Sequence, residues 1–361
     1  MKAAIMRNAE IVVDDMAMPK PSEGEVLVKT LACGICGSDL HALTHGHDMV
    51  QTSIETGGSF VMDLTKDVVM GHEFCAEVLD YGPGTTGTLK PGTRVCSFPT
   101  TVHNGALCTV GYSNEVPGGY SENMVLTESM LLPVPNGLAT AHAALTEPMA
   151  VGLHAVRMAN LDKSEVPLVI GCGPVGLAVI SALKQAGLGP IIAVDYSAKR
   201  RDLAEMMGAD TIIDPSKTSP YEAWTDIAKY DAKGELMAIE PFAGQTFRQG
   251  VFFECVGVPG VLDQIMAGAP RGGRVVVVGV CMETDHIRPL IGINKELNLQ
   301  FVLGYQPEEF AETLRDISEG KINVAPLITD TVGLHGVADA FAALADPEVH
   351  AKILIEPTRL N

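Results

Sequence analysis

The run Leu168-Val169-Ile170-Gly171-Cys172-Gly173-Pro174-Val175-Gly176 decides the fold class. Three apolar residues read as a buried strand, and a G-x-G-x-x-G turn leads directly from them into an apolar helix. The first glycine makes the tight turn. The second lets a backbone approach a pyrophosphate, and the third lets helix and strand pack closely. The helix N-terminus then offers free N–H groups and a positive dipole end to phosphate. The next strand, residues 191–194, runs into Asp195, 19 residues beyond Gly176. A carboxylate at that place takes both hydroxyls of an adenosine ribose and repels a 2′-phosphate, which favours NAD over NADP. Arg200 is read as support for the adenosine side. A Gly-rich turn that binds no dinucleotide is the weaker reading, because strand and helix flank the motif on both sides.

Outward from this motif, strand and helix alternate. Helices are expected over 174–186, 198–207 and 261–266, and strands over 211–213, 251–254 and 274–278. The strands are continuous apolar runs, the mark of a doubly wound parallel sheet covered on both faces. After about residue 295 the pattern turns helical over 307–319 and 337–345, and a strand at 351–355 follows. Upstream, residues 1–148 have another texture. Short β-type runs at 25–30, 68–70, 74–79, 94–97 and 121–126 are separated by Pro83-Gly84, Pro91-Gly92 and Pro117-Gly118-Gly119. That spacing predicts a partly open β-barrel. A helix with Pro148 near its start joins the two textures at 147–161. The polar stretch 215–250 exceeds most connections in length and reads as a helix plus irregular surface structure.

A chain of 361 residues is long enough for two domains, and 47% hydrophobic against 19% charged residues supplies two cores. Acidic residues outnumber basic ones 44 to 25, a formal charge of −19. Such a polyanion repels phosphate backbones and anionic lipid, so neither nucleic acid nor a membrane surface is expected as a partner. No secretory pattern and no apolar run of about 20 residues is visible, so the cytosol is the expected compartment. The eight cysteines are scattered, which predicts reduced thiols, with Cys172, Cys255 and Cys281 as plain core residues.

Cys33-Gly34-Ile35-Cys36-Gly37-Ser38-Asp39-Leu40-His41 carries the second signal. No second C-x-x-C follows, so a closed four-cysteine site is unsupported. Gly71-His72-Glu73 ends the run at 68–70, and Glu147-Pro148 stands at the junction of the textures. One thiolate, one imidazole and one or two carboxylates make a mixed site. Zinc accepts S, N and O ligands, and an incomplete protein shell leaves the open position catalysis needs. Taken singly, Cys36 is a buried thiol, His72 a core histidine and Glu73 a surface carboxylate. Taken together beside a nucleotide fold, they point to a catalytic metal.

These motifs resemble the zinc-containing medium-chain dehydrogenase/reductase family. C-G-I-C-G-S-D-x-H, G-H-E, E-P-x-x-V-G-x-H-A and V-x-G-x-G-P-V-G-L match in order, and Phe253–Gly257 and Gly272–Val275 also look like family segments. The resemblance implies a Rossmann NAD-binding domain at 149–294 and a GroES-like catalytic domain at 1–148 and 295–361, so the tail would return to the first domain. It implies zinc ligands Cys36 and His72, with Glu73 or Glu147 as the third. It implies cofactor contacts at Gly171, Gly173, Pro174, Val175, Gly176, Asp195, Tyr196, Arg200, Val256, Val278, Gly279 and Val280. In a family-like relay, Ser38 takes the alcohol proton, which passes by way of the nicotinamide ribose to His41, while Asp39 orients His72.

The expected activity is NAD-linked interconversion of a small secondary alcohol and its ketone or aldehyde. Glu147, where the alcohol dehydrogenase branch has Cys, resembles the polyol and L-threonine dehydrogenase branches instead. A non-catalytic dinucleotide-binding protein is the reading from another class. Three departures stand out. The stretch 96–120 holds only Cys96 and Cys108 where many members hold four cysteines, which predicts no structural zinc. The segment 45–67 looks like an insertion, with His45 and His47 as solvated loop histidines. The stretch 215–250 is also long. Family habit implies a homodimer or homotetramer.

Overall fold

The computed structural model describes residues 1–135, 137–229 and 247–360. The chain divides into two compact units, Met1–Glu147 with Pro307–Asn361, and Pro148–Gln306.

The first unit is mostly β. It holds β1 (Lys2–Arg7), β2 (Glu10–Asp15), β3 (Glu25–Gly34), α1 (Gly37–Thr56), β4 (Glu73–Tyr81), β5 (Arg94–Ser97), β6 (Thr100–His103), β7 (Ala106–Thr109), β8 (Asn123–Thr127), β9 (Leu131–Pro133) and α2 (Thr140–Ala144). α3 (Thr146–Ala159) carries the chain out of it. Two hairpins, β1-β2 and β6-β7, stand apart from the main sheet. The long strand β3 is its spine, pairing antiparallel with both β4 and β8.

The second unit alternates. β10 (Val166–Ile170), α4 (Pro174–Gln185), β11 (Ile192–Val194), α5 (Ala198–Met207), β12 (Thr211–Ile213), α6 (Pro220–Ala228), β13 (Gly250–Glu254), α7 (Val261–Gly268), β14 (Arg274–Val277), α8 (Pro289–Lys295) and β15 (Asn298–Phe301) follow in order. The sheet order is β12-β11-β10-β13-β14-β15, every pair parallel. Strand order reverses between β10 and β13, the switch point where such sheets hold ligands at the strands' C-terminal ends. Beneath it lies a core of Leu168, Ile192, Phe252 and Val275 around Trp224. The indole N–H of Trp224 donates to the Val166 carbonyl at 3.1 Å, so this buried donor is satisfied.

The chain returns to the first unit with α9 (Pro307–Ser318), β16 (Ile328–Val332), α10 (Val337–Ala343) and β17 (Lys352–Ile355). β17 pairs with β3 and β16, so the main sheet runs β16-β17-β3-β4-β5-β9 with β8 alongside β3.

Several expectations need correction. The return comes at Pro307 rather than 295, because residues 298–301 form the sixth strand of the parallel sheet. Residues 68–70 are not a strand; only Val68 makes an isolated bridge, to Met6. Residues 45–56 are not loop. α1 continues through His45, which breaks the helical dihedrals at φ −124° and kinks the axis, and ends at Gly57 in the left-handed region. His45 faces Asp48 at 3.7 Å. Cys172 is buried as expected, but Cys255 is half-buried and Cys281 exposed, since Cys281 lies beyond the end of β14. Of the stretch 215–250, α6 is helical as read, and 230–246 lie outside the described residues. No helix among the described residues is long and apolar enough to cross a membrane.

Candidate metal centre and nucleotide loop

The centre is built where β3 hands over to α1 and where β4 begins. Cys36 is the N-cap of α1, in extended conformation. The Asp39 carboxylate turns back and accepts the Cys36 backbone N–H at 2.9 Å, satisfying a donor the helix start would leave free. This fixes the direction in which the Cys36 side chain leaves the chain. At the other edge, Gly71 has φ +100°, and a Cβ there would run into the Tyr120 ring and the Cys33 sulfur. Only glycine makes that turn, and it delivers His72 and Glu73 to the start of β4.

One ligand atom each from Cys36, His72 and Glu73 lies within 4.8 Å of the others. His72 and Glu73 are buried and Cys36 is half-buried. Thiolate, imidazole and carboxylate atoms at this separation match a tetrahedral ion with bonds of about 2.0–2.3 Å. Burial alone would lower the His72 pKa, but the Asp39 carboxylate and Cys36 together lift it well above the ordinary imidazole value. The pocket thus draws positive charge to itself. The Nδ1 of His72 is buried with no hydrogen bond and faces Asp39 at 3.5 Å, where the carboxylate can orient the ring. The donor set fits zinc.

Asp39 is fully buried. Burial would raise its carboxyl, but His72 and the hydroxyl of Tyr120, donating at 2.6 Å, hold it below the usual range. The Tyr112 hydroxyl reaches both Asp39, at 3.0 Å, and Ser38, at 2.8 Å. Burial and the Asp39 charge push both phenols well up, so both remain donors.

Lys352, from β17, is also buried and was not foreseen. Its ammonium donates to both Glu73 oxygens, at 2.7 and 2.8 Å, and to the Ile35 carbonyl at 3.0 Å. Burial would lower its pKa, but Glu73 foremost and then Cys36 raise it. Its signal was a lysine inside the apolar strand Ala351–Ile355, since a buried charge requires a partner. Glu147 is buried near the start of α3 and adds to the field on Lys352, but lies outside the three-residue group. His41 lies on α1, half-buried, and burial, then His45, lowers its pKa.

In the second unit, Gly171 to Gly176 follow β10 and open α4, which has Pro174 in its first turn. A Cβ on Gly176 would overlap the Gly171 carbonyl, so the third glycine is required by close packing. Asp195 follows β11; its carboxylate accepts the Cys172 N–H at 2.7 Å and the Ser197 N–H at 2.8 Å. The guanidinium of Arg200 lies 4.0 Å from where a Gly173 Cβ would stand. Tyr196, Val256 and Val280 are exposed, and Val278 is buried. The Gly279 and Val278 N–H groups both bond the Glu254 carbonyl at 2.9 Å, which fixes the turn after β14.

The zinc-binding dehydrogenase family matches residues 174–319, and the alcohol dehydrogenase GroES-like domain matches residues 22–136. The (R,R)-butanediol dehydrogenase of Bacillus subtilis is 34% identical over 99% of this chain and 100% of its own length. The sorbitol dehydrogenase of the same organism is 29% identical, over 99% of this chain and 98% of its own. The crystal structure of the Bacillus subtilis 2R,3R-butanediol dehydrogenase superposes with a TM-score of 0.79 at 31% identity, covering 99% of each chain. The chain therefore belongs to the zinc-containing medium-chain dehydrogenase/reductase family, as an oxidoreductase of secondary alcohols or polyols.

Proposed function

We propose that this protein oxidises a secondary alcohol within a small diol or polyol, with NAD as hydride acceptor and Cys36, His72 and one carboxylate holding one zinc ion. The observation that carries the reading is the convergence of three ligand atoms within 4.8 Å. Relatives named for butanediol and sorbitol support a vicinal diol or polyol. Glu147, buried and acting on the charge of Lys352, fits the polyol branch. When bound, zinc acts as a Lewis acid that lowers the alcohol pKa toward neutrality, and NAD takes the hydride.

The chain's own residues do the rest. Cys36 and His72 supply the sulfur and nitrogen donors. Glu73 and Glu147 are the two candidates for the third place. Glu73 is clasped by Lys352 on both oxygens, yet each oxygen keeps a further lone pair, so it can meet a cation without releasing the ammonium. Asp39 holds the His72 ring in orientation. Ser38, two residues from Cys36, receives the alcohol proton, and His41, neutral at physiological pH because its pKa is depressed, is the final base.

On the nucleotide side, Gly171 to Gly176 cradle the pyrophosphate and Asp195 takes the adenosine ribose. Arg200 and Tyr196 flank the adenosine, and Val256, Val278, Gly279 and Val280 back the nicotinamide. We hold to a single catalytic ion. Cys108 packs with Val116 and Val125, and the Cys96 sulfur turns to the Ala143 carbonyl, which supports packing roles for both. The cytosol is kept as the compartment on the eight cysteines scattered along the chain.

The test is NADH formation across a panel of diols, polyols and simple secondary alcohols, with and without chelator, beside Cys36→Ser. Loss of zinc and activity with NAD affinity kept is expected. Full activity in Cys36→Ser, or indifference to chelator, defeats the metal assignment.

A further inference from the structure

Ser38 has one hydrogen-bond partner among the described residues, the Tyr112 hydroxyl at 2.8 Å. Tyr112 comes from the turn after β7, 74 residues along the chain, and is fully buried. Its ring sits edge-on to Phe60, centroids 4.8 Å apart, and over His72 at 5.2 Å. These contacts fix the phenol oxygen independently of Ser38.

The phenol carries one hydrogen and has two acceptors in reach, Ser38 and Asp39. Asp39 has other donors: the Tyr120 hydroxyl and the Cys36 N–H bond its Oδ2, and the His72 ring faces its Oδ1. Ser38 has none. We propose that Tyr112 is a positioning residue that donates its hydroxyl hydrogen to Ser38 and so fixes the serine rotor for proton transfer. The inference rests on the role given to Ser38 above.

A serine hydroxyl has two lone pairs and one hydrogen. With one lone pair filled by Tyr112, one lone pair and one hydrogen remain. The alcohol O–H bond breaks as a new O–H bond forms at that lone pair. The original Ser38 O–H bond breaks in the same sense, and its proton ends on His41. Ser38 finishes as a neutral hydroxyl. Any negative charge that gathers on its oxygen in between meets a fixed donor, which is how preorganised hydrogen bonds lower barriers.

Tyr112→Phe removes one oxygen and keeps both ring contacts. The expected result is a kcat for alcohol oxidation about tenfold lower, with KM within about twofold and zinc content by chelator titration unchanged. Ser38→Ala is expected to fall further, and adding Tyr112→Phe to it to cost nothing more, because the phenol acts only through the serine. A double variant that falls by the product of the two single effects overturns the proposal. So does zinc loss in Tyr112→Phe, which would place the phenol's role at Asp39 and His72, and so does an unchanged kcat. If Ser38→Ala alone keeps full kcat, the serine relay and this inference both fall. The zinc and NAD reading then stands or falls separately on the chelator arm.

Discussion

His41 is half-buried, and burial followed by His45 holds its imidazole below the ordinary value of about 6.5. To receive a proton it must be neutral. If His41 is the final base, the acid limb of the oxidation rate is expected to lie below the ordinary imidazole range. His41→Gln is expected to remove this acid limb and to lower kcat by about a hundredfold; a limb that survives the change belongs to another group. Asp195 binds the Cys172 and Ser197 N–H groups, so its carboxylate is held beside the first turn of the glycine loop. Asp195→Ala is expected to raise the NADP-to-NAD ratio of kcat/KM by about tenfold or more, a 1.4 kcal/mol change in discrimination. An unchanged ratio removes Asp195 from cofactor selection. Cys36, His72 and Glu73 were legible because each stands in a short motif whose residue types announce metal chemistry. Tyr112 and Lys352 were not. A tyrosine beside a glycine has many uses, and the partner of a lysine in an apolar strand lies 279 residues away, beyond the reach of local pattern.

Among the elements, the ones that follow simple periodicity were read nearly to their ends: α4, α5, β12 and β14 lie where apolar spacing and capping residues put them. α1 beyond His45 was missed because its His-Gly-His run is a poor helix former by propensity, whereas Met49 and Ser53 are buried and Gly46 packs on Leu64. Tertiary burial overrode the local signal. Gly176 illustrates the opposite case, where local sequence and packing agree. Gly176→Ala drives a methyl into the Gly171 carbonyl and is expected to weaken NAD binding at least tenfold and lower the melting midpoint, by calorimetry with and without NAD.

β3 begins with a buried carboxylate, Glu25, which accepts from the Ser22 N–H and hydroxyl, the Thr101 hydroxyl and His103. Burial would raise its pKa, but the Ser22 N–H and then His103 outweigh it and leave it below the usual range. A carboxyl whose folded value is depressed stabilises the fold above its unfolded value, about 4.3, and loses that stabilisation as pH falls through the folded value. Glu25→Gln is thus expected to cost about 1–3 kcal/mol at pH 7, with the gap to the parent protein closing toward pH 3. A gap that is constant with pH rules out a titrating role.

At the scale of the molecule, β15 is an edge strand that among the described residues pairs only with β14, and Phe301 at its end and Leu303 just beyond it are exposed. An open strand edge beside apolar side chains invites a second strand.

The grip of Lys352 on Glu73 has a consequence for how the molecule is made. Glu73 leaves the ribosome long before Lys352 exists, and all of the parallel-sheet unit is translated in between. Until β17 is made, the sheet of the first unit lacks both that strand and the ammonium that neutralises the buried carboxylate. A stop codon at position 350 would remove β17 and with it the ammonium that donates to both Glu73 oxygens, leaving that carboxylate without its lysine.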